Sequence, residues 1–267
     1  MNSEVLAQNI RKDVLLMTSN GGAGHIGSIL SVTDIIAVLY SNIMNKNPNN
    51  PDDPNRDRFI LSKGHAGAGV YACLAELGYF SKENLALYYK SGSSFSGHVS
   101  HKYNKGVEFS TGSLGHGICV ALGMALAGKM DKKPYRVFAI AGNGEMNEGS
   151  IWEAVMFASQ NKISNFKLII DDNKLQAMGK SSEIIDMSNL KAQLTAFGFK
   201  VVRIDGHDHK QLTKALSWFD KNVPTAVICD TVKGKGVSFM ENNNEWHSKT
   251  VKGELLDQAL REVGGKK

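Results

Sequence analysis

The stretch Gly142-Asn143-Gly144 stands where a β-branched run, Arg136–Ile140, gives way to polar residues. Glycines on both sides of a turn let backbone N–H groups approach a phosphate, with a helix N-terminus behind them. A second apolar run, Lys167–Asp171, leads into Asp172-Asn173-Lys174-Leu175. The two turns together offer side-chain oxygens from Asn143 and Asn173, thirty residues apart, and a backbone carbonyl at Leu175. Oxygen donors of this kind, completed by phosphate and water, suit Mg2+ or Ca2+ rather than zinc. Eight histidines add groups able to move protons near neutrality. Alone, a G-x-G turn is common in α/β proteins and a lone histidine is more often structural than catalytic.

Apolar periodicity supplies the elements that must bring these turns together. Helical patterns cover Val5–Met17, Asp34–Ile43, Ala66–Leu77, Gly117–Ala127, Ser150–Gln160, Asn189–Phe197 and His209–Phe219. Short strand-like runs occupy Arg58–Leu61, Arg136–Ile140, Lys167–Asp171, Lys200–Ile204 and Thr225–Cys229. Strands alternating with helices predict an α/β fold, a doubly wound and mostly parallel sheet with helices on both faces. No linker-like segment interrupts the series, so residues 1–267 are expected to form one domain. Ligands in such sheets bind beyond the C-terminal strand ends, where both turns fall.

Composition narrows the function classes. Thirty-one Lys and Arg against 26 Asp and Glu leave a net charge of +5, but the basic residues are scattered without interleaved aromatics. Nucleic acid is therefore not an expected partner. The longest uncharged stretch, Phe109–Gly128, holds five glycines and several polar residues, a poor membrane span. The three cysteines, Cys73, Cys119 and Cys229, form no CxxC pair and sit among apolar residues, which predicts free thiols in a reducing cytoplasm. A dinucleotide site is excluded because Gly142-Asn143-Gly144-Glu145-Met146-Asn147 lacks the third glycine.

Other segments carry a family likeness. Gly142-Asn143-Gly144 followed by Asn173 resembles the thiamine diphosphate motif, a GDG turn with an asparagine at similar spacing. Ser19-Asn20-Gly21-Gly22-Ala23-Gly24-His25-Ile26-Gly27, Asp57-Arg58-Phe59-Ile60-Leu61-Ser62-Lys63-Gly64-His65 and Ser96-Gly97-His98 resemble transketolase segments. So do Thr111-Gly112-Ser113-Leu114-Gly115-His116-Gly117, Asn147-Glu148-Gly149, and Lys233-Gly234-Lys235-Gly236 leading to Trp246-His247. The resemblance is to the diphosphate-gripping (PP-type) part of the family, and so implies the N-terminal subunit of a split, two-component transketolase. Such an enzyme moves a two-carbon ketol unit from a ketose to an aldose, both expected to be sugar phosphates. The partner it implies is a C-terminal subunit with the pyrimidine-binding domain, which supplies the activating glutamate. Self-association is expected as well, because a half-site leaves an apolar face to cover.

The resemblance also implies roles. Asn143, Asn173 and the Leu175 carbonyl hold the metal, and His65, His247, Gly142 and the Gly144 N–H face the diphosphate. Gly112, Ser113 and Leu114 lie by the aminopyrimidine, His25 and His98 by the donor's hydroxyls, and Glu148 couples to the partner's glutamate. One position departs from the family: Asn143 stands where its members carry aspartate. A neutral ligand predicts weaker metal and cofactor binding, and leaves open a non-catalytic or cofactor-weakened scaffold as the alternative. Outside the motifs the expectations are ordinary. Asp208 should cap the helix after the His207–His209 turn, Asp171 and Asp172 should end a strand, and Glu145 and Glu153 should be helix-end or surface charges. Trp152, Val155 and Met156 should serve as core or subunit interface.

Overall fold

The computed structural model describes residues 1–264. Five parallel strands, β1 (Arg58–Leu61), β2 (Val137–Gly142), β3 (Phe166–Asp172), β4 (Lys200–Asp205) and β5 (Thr225–Asp230), form one sheet in the order β1-β2-β3-β5-β4. Side chains alternate along each strand, which divides the core in two. Phe138, Ile140, Ile169, Val227 and Cys229 pack beneath α1 (Ser3–Gly21), α2 (Ile26–Val38) and α3 (Gly67–Glu76). Ala139, Ala141, Leu168, Ile170 and Ile228 face α4 (His116–Met130) and α5 (Gly149–Gln160). Gly142 pairs with Asp171, so the two candidate loops leave the sheet at the same level. That register turns thirty residues of sequence separation into adjacency.

Strand positions follow the β-branched runs to within two residues, whereas some helices differ from expectation. α2 begins at Ile26 rather than Asp34, because Ile-Gly-Ser-Ile-Leu-Ser-Val-Thr is apolar and small all round. Every residue of α2 is buried, so no polar face marks it. With the π turn that follows, the segment Ile26–Ile43 has the length and hydropathy of a membrane span, yet 83% of it is buried inside this fold as a core helix. After α6 (Ser181–Ile184) and α7 (Leu190–Ala196), α8 spans His209–Ser217 and stops two residues short of the predicted end. The buried Lys167 ammonium explains the stop by taking the carbonyls of Ala215 and Trp218 at the helix terminus. Asp208 does cap α8, accepting from the Lys210 and Gln211 amides. Sequence reasoning missed α9 (Glu254–Val263), which packs against α1.

Candidate active site

Loops at the C-terminal ends of β1, β2 and β3 enclose a cavity of about 450 Å3. Most of its lining comes from segments singled out in the sequence, while Ala177, Met178, Ile184 and Ile185 come from a stretch that was not. His65 sits in the turn after β1, His25 immediately precedes α2, His98 lies in the loop after α3, and His247 closes a short 3-10 turn near the C-terminus. The four rings form one cluster: His25 lies 5.2 Å from His65, 5.7 Å from His98 and 5.1 Å from His247, and His65 lies 5.8 Å from His247. His25 holds a left-handed backbone (φ 69°), a strained state for a residue with a Cβ and one that collects at functional sites. Its N–H donates to the His247 carbonyl at 2.7 Å, tying two distant segments together.

Gly112 and Leu114 line the same cavity, as do Gly142, Asn143, Gly144, Asn173 and Leu175. Glu148 stands at its edge, exposed, preceding α5 without capping it. Ser113 is the exception: its side chain is exposed and does not line the cavity. Gly144 is held to glycine by close approach, since a Cβ there would come within 2.8 Å of the Gln176 side chain.

Burial sets the electrostatics. It pushes the imidazole of His65 well below its usual range, with Lys63 adding to the effect, and lowers His25 in the same way. His247 falls to about 4, again chiefly through burial and then through Lys233. These rings are neutral at pH 7, a correction to the expectation of groups titrating near neutrality; they offer N–H donors rather than charge. Lys233 donates to the Gln176 carbonyl (3.2 Å), the Asn244 side chain (2.8 Å) and His247 Nδ1 (3.3 Å). An ammonium only donates, so His247 accepts at Nδ1 and carries its proton on Nε2.

Four buried polar groups escaped the sequence reading. Glu145 is no surface charge: its carboxylate accepts from the Ser62 hydroxyl and the Gly115 (2.9 Å) and Gly142 (3.1 Å) amides, joining three motif loops. Burial pushes its pKa up. Asp171 does more than end a strand, since it pairs with Lys63 at 2.5 Å and accepts from Ser31 (2.6 Å) and Thr231, wholly buried. Lys63 and Lys233 both line the cavity. Both lysines were within quoted motifs, but only the tertiary structure reveals their burial. Cys119, expected among apolar neighbours, is exposed, whereas Cys73 and Cys229 are buried; all three are free thiols.

The residues fit a divalent metal with a diphosphate. Asn143 and Asn173 are both buried, and each turns its amide nitrogen onto a hydroxyl, Ser181 for Asn143 and Ser31 (3.1 Å) for Asn173. The Asn173 Oδ1 accepts from the Leu175 N–H at 3.1 Å, which leaves a second lone pair; with the Asn143 Oδ1 and the Leu175 carbonyl it makes a neutral set suited to Mg2+ or Ca2+. No group of three or more His, Cys, Asp or Glu with metal-binding geometry occurs among the described residues. Asn147 accepts from Gln176 at 2.9 Å, and its buried Nδ2 has no partner among the described residues. An orphaned donor beside two ammonium groups suits an anion.

The fold and cavity define a phosphate-gripping cofactor domain, and comparison with known proteins assigns its class. Residues 3–266 match the family described as "Transketolase, thiamine diphosphate binding domain", and the chain belongs to the transketolase family. It is 40% identical over 263 residues to an apulose-4-phosphate transketolase subunit of Actinobacillus succinogenes, covering 97% of this chain and 95% of that protein. It is 38% identical to 6-deoxy-6-sulfo-D-fructose transketolase subunit SqwG of Clostridium sp., covering 96% and 94% respectively. The crystal structure of transketolase from Campylobacter jejuni superposes with a TM-score of 0.90 at 30% identity, over 99% of this chain. The chain spans 43% of that larger protein. It is the counterpart of the separate, cofactor-binding subunits of split transketolases, which are transferases.

Proposed function

We propose that the chain is the diphosphate-binding half of a two-component transketolase, transferring a two-carbon ketol unit between sugar phosphates. The convergence of four imidazoles, two buried lysines and three neutral oxygens on one cavity carries this reading. In it, Asn143, Asn173 and the Leu175 carbonyl hold Mg2+. Lys233, His65, His247 Nε2–H and the Gly144 N–H hold the diphosphate, whose charge the lysine offsets. His25 and His98 orient and deprotonate the ketose hydroxyls; a bound anion raises neighbouring imidazoles toward the range where they shuttle protons. Thiamine diphosphate, when bound, supplies the carbanion chemistry that no side chain provides.

Glu148, exposed at the rim, reaches toward the partner's pyrimidine-binding domain, and Gly112 and Leu114 form the wall on that side. We assign much of the acceptor pocket to the partner, which faces the open side of the cavity in this reading. The assembly proposed is a heterotetramer of two copies of each chain, in a reducing cytoplasm compatible with the exposed thiol of Cys119. Thermal unfolding with Mg2+ and thiamine diphosphate tests the first step: at one hundred times the dissociation constant, about 2.7 kcal/mol of stabilisation is expected. A scaffold that had abandoned the cofactor would show no shift. Ketol transfer by the chain mixed with its cognate pyrimidine-binding subunit tests the whole reading, and an inactive pair with cofactor bound would reject it.

A further inference from the structure

A buried charge cluster lies outside the cavity, behind the loop that carries Lys233. Asp34 of α2 is 4% exposed and takes a bidentate pair from Arg11 of α1, at 2.9 and 2.6 Å. His207 Nδ1 lies 2.7 Å and His209 Nε2 3.1 Å from the same carboxylate. These contacts hold its pKa far below the ordinary carboxylate range despite burial. His209 turns its other nitrogen to Ser3, whereas His207 turns its own toward the active-site loop. The Val232 N–H donates to His207 Nε2 at 2.9 Å. A ring nitrogen that accepts carries no proton, so the proton of His207 resides on Nδ1 and points at Asp34. The carboxylate thereby selects the tautomer that lets His207 hold the residue immediately before Lys233. The flanks of this loop are pinned independently, Thr231 to Asp171 and the Gly234 N–H to the Gly27 carbonyl at 2.9 Å.

We propose that His207 is a positioning residue for the anion-binding lysine: the chain Asp34–His207–Val232 sets the loop so that the Lys233 ammonium enters the cavity. The inference rests on the reading of Lys233 as a diphosphate-holding group, but its test separates the two. His207→Asn keeps a donor where Nδ1 faces Asp34 and loses the acceptor for Val232. His207→Gln does the opposite. A histidine that merely braced α2 against α8 would make Gln the worse variant; a positioning histidine makes Asn the worse.

Two readouts on the full-length chain decide between them. The first needs no ligand: trace acetylation of Lys233, followed by mass spectrometry. Labelling is followed as a function of pH, because Lys233 is 1% exposed and release alters reagent access as well as charge. Burial lowers this lysine from 10.5 to about 8, so in the Asn variant the midpoint of the profile should move from about 8 toward 10.5, whatever the change in access. The Gln variant should label as wild type does. The second is calorimetric titration with inorganic pyrophosphate and Mg2+, in which the Asn variant should bind about tenfold more weakly and the Gln variant normally. An unchanged labelling midpoint in the Asn variant, or a larger shift in the Gln variant, overturns the proposal. Altered labelling with unaltered pyrophosphate affinity upholds positioning and removes Lys233 from the diphosphate site. Should the Asn variant fail to fold, the ring 15N shifts of wild-type His207 decide, and a protonated Nε2 overturns the proposal.

Discussion

Replacing Asn143 with aspartate should pull stability and affinity in opposite directions. In the free chain Asn143 is 5% exposed and its amide donates to the Ser181 hydroxyl. A carboxylate in that place retains one partner, because the hydroxyl can turn and donate, but its other oxygen is buried without compensation. An incompletely compensated buried charge costs about 3–5 kcal/mol, which for a chain of this size lowers the unfolding midpoint by about 6–20 °C. Adding Mg2+ reverses the sign. The donors proposed for the metal are neutral throughout, and a change even to an outer-shell partner moves metal affinity about 10–100-fold. Gaining a carboxylate in direct contact should tighten Mg2+ by at least that much, or about 1.4–2.7 kcal/mol. The gain should be larger for Mg2+ alone than with thiamine diphosphate, because the diphosphate repels the new charge. Calorimetry of both chains with metal alone and then with cofactor, beside unfolding curves, reads each quantity. Equal Mg2+ affinities for the two chains would refute Asn143 as a metal ligand.

Other perturbations follow from the same geometry. Lys63→Ala leaves Asp171 buried and unpaired, so urea unfolding should show a loss of about 3–5 kcal/mol, much of it restored by adding Asp171→Asn; a single variant as stable as wild type would contradict the buried pair. The lowered values of His25, His65 and His247 mean that the unfolded chain binds more protons than the native one between about 4 and the ordinary histidine value of 6.5. These rings should therefore make stability fall as pH drops through that window, partly offset by Asp13, raised to about 6 by burial, while Lys167 (about 7) and Lys233 (about 8), both lowered by burial, continue the rise above it. His247→Gln should shallow this slope in thermal unfolding, and an unchanged slope would mean that the ring is not held neutral. On α5, Met156 and Phe157 are about half exposed, and Phe157→Lys should weaken association between the chains by about 1–2 kcal/mol, measured by sedimentation; unaltered assembly would place the interface elsewhere.

What the sequence revealed tracks how local the cause is. β-branched runs and glycine turns act over a few residues, so the strands and both candidate metal loops were legible. α2 was shortened because complete burial erases amphipathic contrast. By contrast α9, with Leu256, Ala259, Leu260 and Val263 on one side and acidic residues in its first turn, carried a readable pattern that was passed over. The histidines were found through their motifs, but their neutrality depends on burial and on Lys63 and Lys233, which arrive from other parts of the chain. Glu145 looked like an ordinary helix-end acid because its three donors come from segments as far away as Ser62. Only the register between β2 and β3 made Asn143 and Asn173 neighbours.

The turn at Asn143 also bears on how the protein ages. Asparagine followed by glycine is prone to deamidation, in which the glycine nitrogen attacks the side-chain amide through a cyclic imide. Here Asn143 is locked in a helical backbone (φ −56°, ψ −42°) and its amide is tethered to Ser181. Both restraints keep the attacking nitrogen from its target, so the folded chain should resist the reaction far better than the unfolded one. Where the turn does loosen during storage, one product is aspartate. Old preparations would then drift, molecule by molecule, toward the aspartate of the GDG turn that this segment resembles.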